Sequence, residues 1–212
     1  NETTDILLKK EFDFCRENQI PHRVCIENNL TNLIPFDHPK IDDWRDSLHK
    51  GLNVRYKNSN IILTGGIDDI WQNKATKKLI IVDYKSQAKM GRLDKEDYLK
   101  DPYHDGYKIQ MDFYAYLLSM MGFNVDQTSY FLVCNAKRDL NEFKKKMEFD
   151  EYLIPYNWNN KWIEQKIDEM IYLLNNHTIP NANESCKNCA YSEQYAKSIY
   201  KELNKDNSPV QG

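Results

Sequence analysis

The sequence predicts an α/β domain. Three observations carry this. Residues 63–85 read as two strands joined by a tight polar turn, and residues 128–135 (TSYFLVCN) as a third, strongly apolar strand. Residues 107–121 form an apolar-rich helix ended by Gly122, placed between those strands. Residues 158–176 repeat Trp158, Trp162, Ile167, Met170, Ile171 and Leu174 at helical spacing.

Taken in order, residues 4–18 suggest a first helix, with Leu7, Leu8, Phe12 and Cys15 near helical spacing and Thr3 or Thr4 as its cap. Residues 19–39 contain Pro21, Pro35 and Pro39 and read as irregular or short strand. Residues 40–50 suggest a short helix ended by Gly51, with Trp44 and Leu48 as its buried pair. A first strand is expected at 52–58, followed by strands near 61–72 and 77–86 around a turn at Asn73–Thr76. Residues 87–106 read as a long polar loop, a type of segment that commonly serves function. Residues 143–154 suggest an edge strand with lysines facing water. The division expected is a main domain over 1–180 and a polar tail over 181–212 that ends in a short tyrosine-rich helix.

The chemistry concentrates in the strand pair. In the second strand, Leu79, Ile81, Asp83 and Lys85 alternate onto one face, while Ile80, Val82 and Tyr84 face the other. The first strand ends in Gly65-Gly66-Ile67-Asp68-Asp69, where glycines permit a bend or a close approach. Two carboxylates and a lysine at the rim of an apolar hairpin are costly without a partner. A hard divalent cation with carboxylate oxygen ligands is the natural one. Downstream, Gln110 and Tyr114 are four apart and share a helix face.

In this order, GGIDDIW, IVDYK and QMDFY resemble the PD-(D/E)xK nuclease superfamily, and most closely its RecB-type branch. The resemblance implies a restriction-endonuclease-like core of α-β-β-β-α-β order with flanking helices. It implies a divalent-metal-dependent deoxyribonuclease acting in repair, recombination, phage or defence processing. Asp68, Asp83 and the carbonyl of Tyr84 would bind Mg²⁺ or Mn²⁺; Lys85 would position the attacking water, and Gln110 and Tyr114 would hold Lys85 and the DNA backbone. Alignment to the family pattern picks Asp68, although a bulge at the glycines would bring Asp69 inward instead. Glu11 is the first-helix acid to test, and His22, His38 and His49 are candidate ligands by position alone. The rival readings are a nuclease fold that has lost activity and a subunit that acts only within a larger complex.

Net charge is −3 and pI about 6.0, so the chain lacks the overall basic signature of a nucleic-acid binder. The basic residues cluster nonetheless, at Lys85, Lys89, Arg92, Lys95 and Lys100 and again at Lys137, Arg138 and Lys144–Lys146, where they could track phosphates. No apolar run approaches a membrane span, and no signal peptide is visible. The five cysteines, an odd number, argue for reduced thiols in a cytoplasm. Cys186-x-x-Cys189 is half of a metal clamp. The RecB-type cluster pattern would need a third cysteine where Tyr195 stands, so the pair is expected to be a degenerate remnant of that pattern or a structural pair of thiols, and not an iron–sulfur ligand set.

Overall fold

The structure is a computed structural model and describes residues 2–205. Residues up to Glu164 form one compact unit, and those from Gln165 onward a second.

The first unit is built on a five-stranded mixed sheet of order β1-β4-β5-β6-β7. Its strands are β1 (Leu33–Pro35), β4 (Asp69–Asn73), β5 (Leu79–Gln87), β6 (Thr128–Ala136) and β7 (Phe149–Asn157). β1, β4 and β5 are antiparallel neighbours, β5 and β6 run parallel, and β7 closes the sheet antiparallel to β6. The parallel pair needs a crossover, and α5 (Asp105–Met120) supplies it. Both central strands are near-continuous apolar runs because both of their faces are covered. One face packs Ile80, Val82, Tyr84 and Leu132 against Leu8 and Phe12 of α1 (Glu2–Asn18). The resulting α/β core carries the α-β-β-β-α-β order, with further helices around it.

Several elements differ from the sequence reading. The strand expected at 52–58 is β2 (Leu52–Arg55), which pairs with β3 (Ile62–Gly65) in a separate two-stranded sheet. The first strand of the main sheet is instead β1, three residues ending at Pro35 and too short to show a period. The stretch 61–72 is broken at Gly66-Ile67-Asp68, so its halves serve different sheets. Within 19–39 there is also a short helix α2, Arg23–Glu27. Helix α3 spans only Ile41–Arg45; Trp44 is buried, but Leu48 lies beyond the helix and is 87% exposed.

Residues 87–106 are not a plain loop. They hold α4 (Lys95–Lys100), capped by the Asp94 carboxylate, and a 3₁₀ turn at Pro102–His104, capped by Asp101. Lys144 and Lys145 lie in a turn with φ of 42° and 59°, before β7 and not on it. Helix α6 begins only at Ile163. Trp158 and Trp162 precede it and are tied by their indole N–H groups to the Asp126 carbonyl at 2.6 Å and the Asp112 carboxylate at 2.9 Å.

In the second unit, α7 (Lys187–Lys205) is the tyrosine-bearing helix. Cys186 and Cys189, expected as thiols, are joined as a disulfide; the turn entering α7 brings their Cα atoms to 5.3 Å, within bridging range. Cys15, Cys25 and Cys134 are free and buried. No helix among the described residues is long and apolar enough to cross a membrane.

Candidate active site

The double glycine is where two other elements press on the chain. A Cβ on Gly65 would stand 2.8 Å from the Tyr114 ring of α5, and one on Gly66 would stand 2.2 Å from Cβ of Ser47. Only glycine admits both approaches. After the glycines, Ile67 is buried and its N–H donates to the Trp44 carbonyl at 3.1 Å. β4 then begins at Asp69, which pairs with Val82. One step before that ladder, Asp68 comes opposite Asp83, and the Tyr84 N–H donates to Asp68 Oδ2 at 2.7 Å.

The two adjacent aspartates face opposite ways. Asp69 is fully buried behind the sheet among donors. It accepts from the Tyr84 hydroxyl at 2.8 Å, from its neighbour's Ile70 N–H at 2.8 Å and from Arg16, and Arg45 lies 3.1 Å away. Asp13 on α1 binds both arginines in turn, at 2.6 and 2.8 Å. Burial, then the Asp69 charge, holds the Tyr84 phenol well above its usual value, so it stays a donor. Asp69 therefore has a complete set of protein partners.

Asp68 and Asp83 do not. They open onto a cavity of about 390 Å³ at the C-terminal end of β5. Its wall includes Lys85 and Ser86 of β5, Tyr107 and Gln110 of α5, and Glu2, Thr4 and Asp5 of α1. Asp83 is 1% exposed, yet neither of its carboxylate oxygens has a hydrogen-bond donor of good geometry. It faces the Lys85 ammonium in an ion pair, and it faces the Asp68 carboxyl. Burial raises the pKa of Asp83. Burial and the nearby Asp83 charge push Asp68 up to about 7.

Lys85 is held from three sides. Besides Asp83, its Nζ lies 4.4 Å over the Tyr107 ring and donates to Gln110 Oε1 at 3.4 Å. Gln110 Nε2 donates to the Tyr114 hydroxyl at 2.6 Å. Tyr114 does not line the cavity; it is 7% exposed and reaches Lys85 only through Gln110. Asp112, in the same QMDFY run, points elsewhere and accepts from Tyr156, Asn159 and Trp162.

The sequence model of the PD-(D/E)XK nuclease superfamily matches residues 23–194. The chain belongs to that superfamily. No curated protein and no solved structure matches the chain.

The donor set of this PD-(D/E)XK site fits a hard divalent cation. Two facing carboxylates at one cavity, with the Lys85 ammonium paired to Asp83, leave negative charge that a further cation relieves. Two facing carboxylates at the cavity suit an ion that takes oxygen ligands and keeps much of its water.

The other ligand candidates lie elsewhere. Glu11 accepts from His22 Nε2 at 2.8 Å and from Arg23 at 3.4 Å, outside the site cavity. His22 is buried and stacked on Phe12. His38 stacks on Trp44, and His49 is exposed and paired with Asp46.

Several cavity residues, Tyr107 and the α1 acids among them, went unmarked in the sequence. Tyr107 sits on the face of Gln110 and Tyr114, three and seven residues before them, a spacing from which it could have been found. Asp5 and Glu2 are α1 acids at the cavity, Asp5 paired with Lys9 at 2.9 Å, and nothing local to the sequence sets them apart from Glu11.

Proposed function

We propose that the protein hydrolyses phosphodiester bonds in DNA with a divalent cation, Mg²⁺ or Mn²⁺. The observation that carries this reading is the facing pair of half-buried Asp68 and buried Asp83. It opens onto a cavity, and the Lys85 ammonium pairs with Asp83 beside it.

Asp68, Asp83 and the Tyr84 carbonyl would hold the cation. When bound, such an ion polarises a phosphate oxygen and makes water more acidic. Everything else falls to the chain. Ionised Asp68 and Asp83 attract and orient the ion, and Tyr84, through its N–H, fixes the rotamer of Asp68. Lys85 holds its positive charge at the cavity wall, orients the attacking water and stabilises charge that develops on the phosphate. Gln110 and Tyr107 keep that ammonium in place, and Tyr114 holds Gln110. DNA as substrate, and a RecB-type mode of action, rest on the resemblance of the three motifs.

The test is cleavage of linear and circular, single- and double-stranded DNA with Mn²⁺ or Mg²⁺, run beside Lys85→Ala. The wild type is expected to cut, and loss of Lys85 to slow it by roughly 10²–10³-fold, as for other groups that stabilise transition-state charge. A Lys85→Ala protein that cuts at the wild-type rate, or a wild type that cuts nothing with either metal, overturns the proposal.

A further inference from the structure

The nuclease reading of the Asp68–Asp83 cavity leaves unused an aromatic ladder that ends beside Lys85. Its base is Phe131 of β6, fully buried, with the Tyr98 ring of α4 6.1 Å away. The His104 ring stacks on Tyr98 at 3.9 Å and 23°. Tyr107 stacks on His104 at 5.3 Å and 17°, and Lys85 lies over Tyr107. The His104 ring is fixed by its Nδ1–H, which donates to the Tyr98 carbonyl at 2.7 Å. Three near-parallel rings thus lead from the sheet to the ammonium.

Tyr103 stands at the open side of this ladder. It is 78% exposed, and its ring meets His104 and Tyr107 edge-on, at 5.7 and 6.3 Å. The backbone beneath it is fixed. Its N–H donates to the Asp101 carboxylate at 3.0 Å, Pro102 precedes it, and the His104 N–H donates to the Asp101 carbonyl at 2.9 Å. An exposed aromatic already held in one orientation loses little entropy when another ring stacks on it. It stands next to Tyr107, which lines the site cavity.

We propose that Tyr103 is a stacking platform for an unpaired nucleobase next to the phosphate bound at Lys85. The substrate class is then single-stranded DNA, or the frayed or overhanging end of a duplex, because a base inside a duplex is stacked on both faces and offers neither to a tyrosine. This inference rests on the nuclease reading for its location, and its test reads binding, not cleavage.

The experiment titrates the full chain with a short fluorescein-labelled oligodeoxythymidylate and with the matching blunt duplex, with Ca²⁺ in place of Mg²⁺. Wild type, Tyr103→Ala and Tyr103→Trp are compared by fluorescence anisotropy. Stacking of one base corresponds to a loss of roughly 5- to 100-fold in single-strand affinity for Tyr103→Ala. Tyr103→Trp restores it, and the duplex loses less than the single strand. Unchanged single-strand affinity in Tyr103→Ala, equal losses on both ligands, or no single-strand binding by the wild type overturns the platform. A Lys85→Ala enzyme that cuts at the wild-type rate overturns the nuclease reading instead, through a different measurement.

Discussion

Replacing Asp68 and Asp69 by asparagine, one at a time, separates two neighbouring carboxylates by opposite effects on stability. Asp69 is fully buried and balances two arginines, and breaking a buried charge pair costs about 3–5 kcal/mol. Asp13 still pairs with both arginines, so the lower end applies, about 3 kcal/mol. At roughly 2–4 °C per kcal/mol for a chain of this size, the Tm of Asp69→Asn falls by about 6–12 °C. Asp68 works the other way. Its carboxyl sits at about 7, and holding it ionised at pH 8 costs up to about 4 kcal/mol without a cation. Asparagine removes that charge and keeps an oxygen for the Tyr84 N–H. Metal-free Asp68→Asn should therefore melt at the wild-type temperature or a few degrees above it. Differential scanning fluorimetry at pH 8, with EDTA and then with excess Mn²⁺, makes the comparison. Mn²⁺ raises the Tm of the wild type and of Asp69→Asn, but leaves Asp68→Asn nearly unmoved. Equal destabilisation by both substitutions, or a cation response lost with Asp69 and kept without Asp68, refutes the assignment of front and back.

Two further outcomes follow from the same geometry. The folded-state pKa of Asp68 is raised, so the fold favours its protonated form. That penalty is absent below the unfolded value near pH 4, and it grows as pH rises through about 7. Stabilisation by Mn²⁺ should therefore weaken as pH falls below about 7, by up to tenfold in affinity per pH unit for one displaced proton, and a Mn²⁺ shift equal at pH 5.5 and pH 8 contradicts this. Gly65→Ala drives a methyl into the Tyr114 ring, 2.8 Å away, at a cost of roughly 1–3 kcal/mol. Because Tyr114 holds Gln110 and Gln110 holds Lys85, kcat should fall more than KM rises, and Gly65→Ala should cost less stability in a Tyr114→Ala background than in the wild type; an equal cost in both excludes the ring contact as the cause.

Much of this site was legible because strand alternation is a local rule. Asp83 and Lys85 lie on one face of β5 and Tyr84 on the other, as period two requires. Gln110 and Tyr114 meet because helix positions four apart are neighbours. The choice between Asp68 and Asp69 was not local. It depended on the break at Gly66 and on arginines from α1 and α3 that fill the space behind the sheet. The α1 acids at the cavity were missed for a similar reason. Glu11, Asp5 and Glu2 are all polar positions on one helix, and only the placement of that helix on the sheet brings Asp5 and Glu2 to the end of β5. Leu48 was expected in the core from helical spacing, but the helix ends at Arg45 and leaves it in solvent. The strand β1 has three residues, too few for any pattern to accumulate.

The ring of Asp13, Arg16, Arg45 and Asp69 has a consequence for how the protein tolerates chelation. Arg45 also donates to the carbonyl of Asp68, at 3.1 Å, so the backbone that carries the front acid is fastened from behind. The countercharges in that fastening are part of the polypeptide and do not leave with the solvent ions. Under the proposed function, withdrawing a metal would strip the front of the strand and leave its rear mooring untouched. The site would then stay assembled for the ion's return, and activity would switch off and on without a cycle of unfolding.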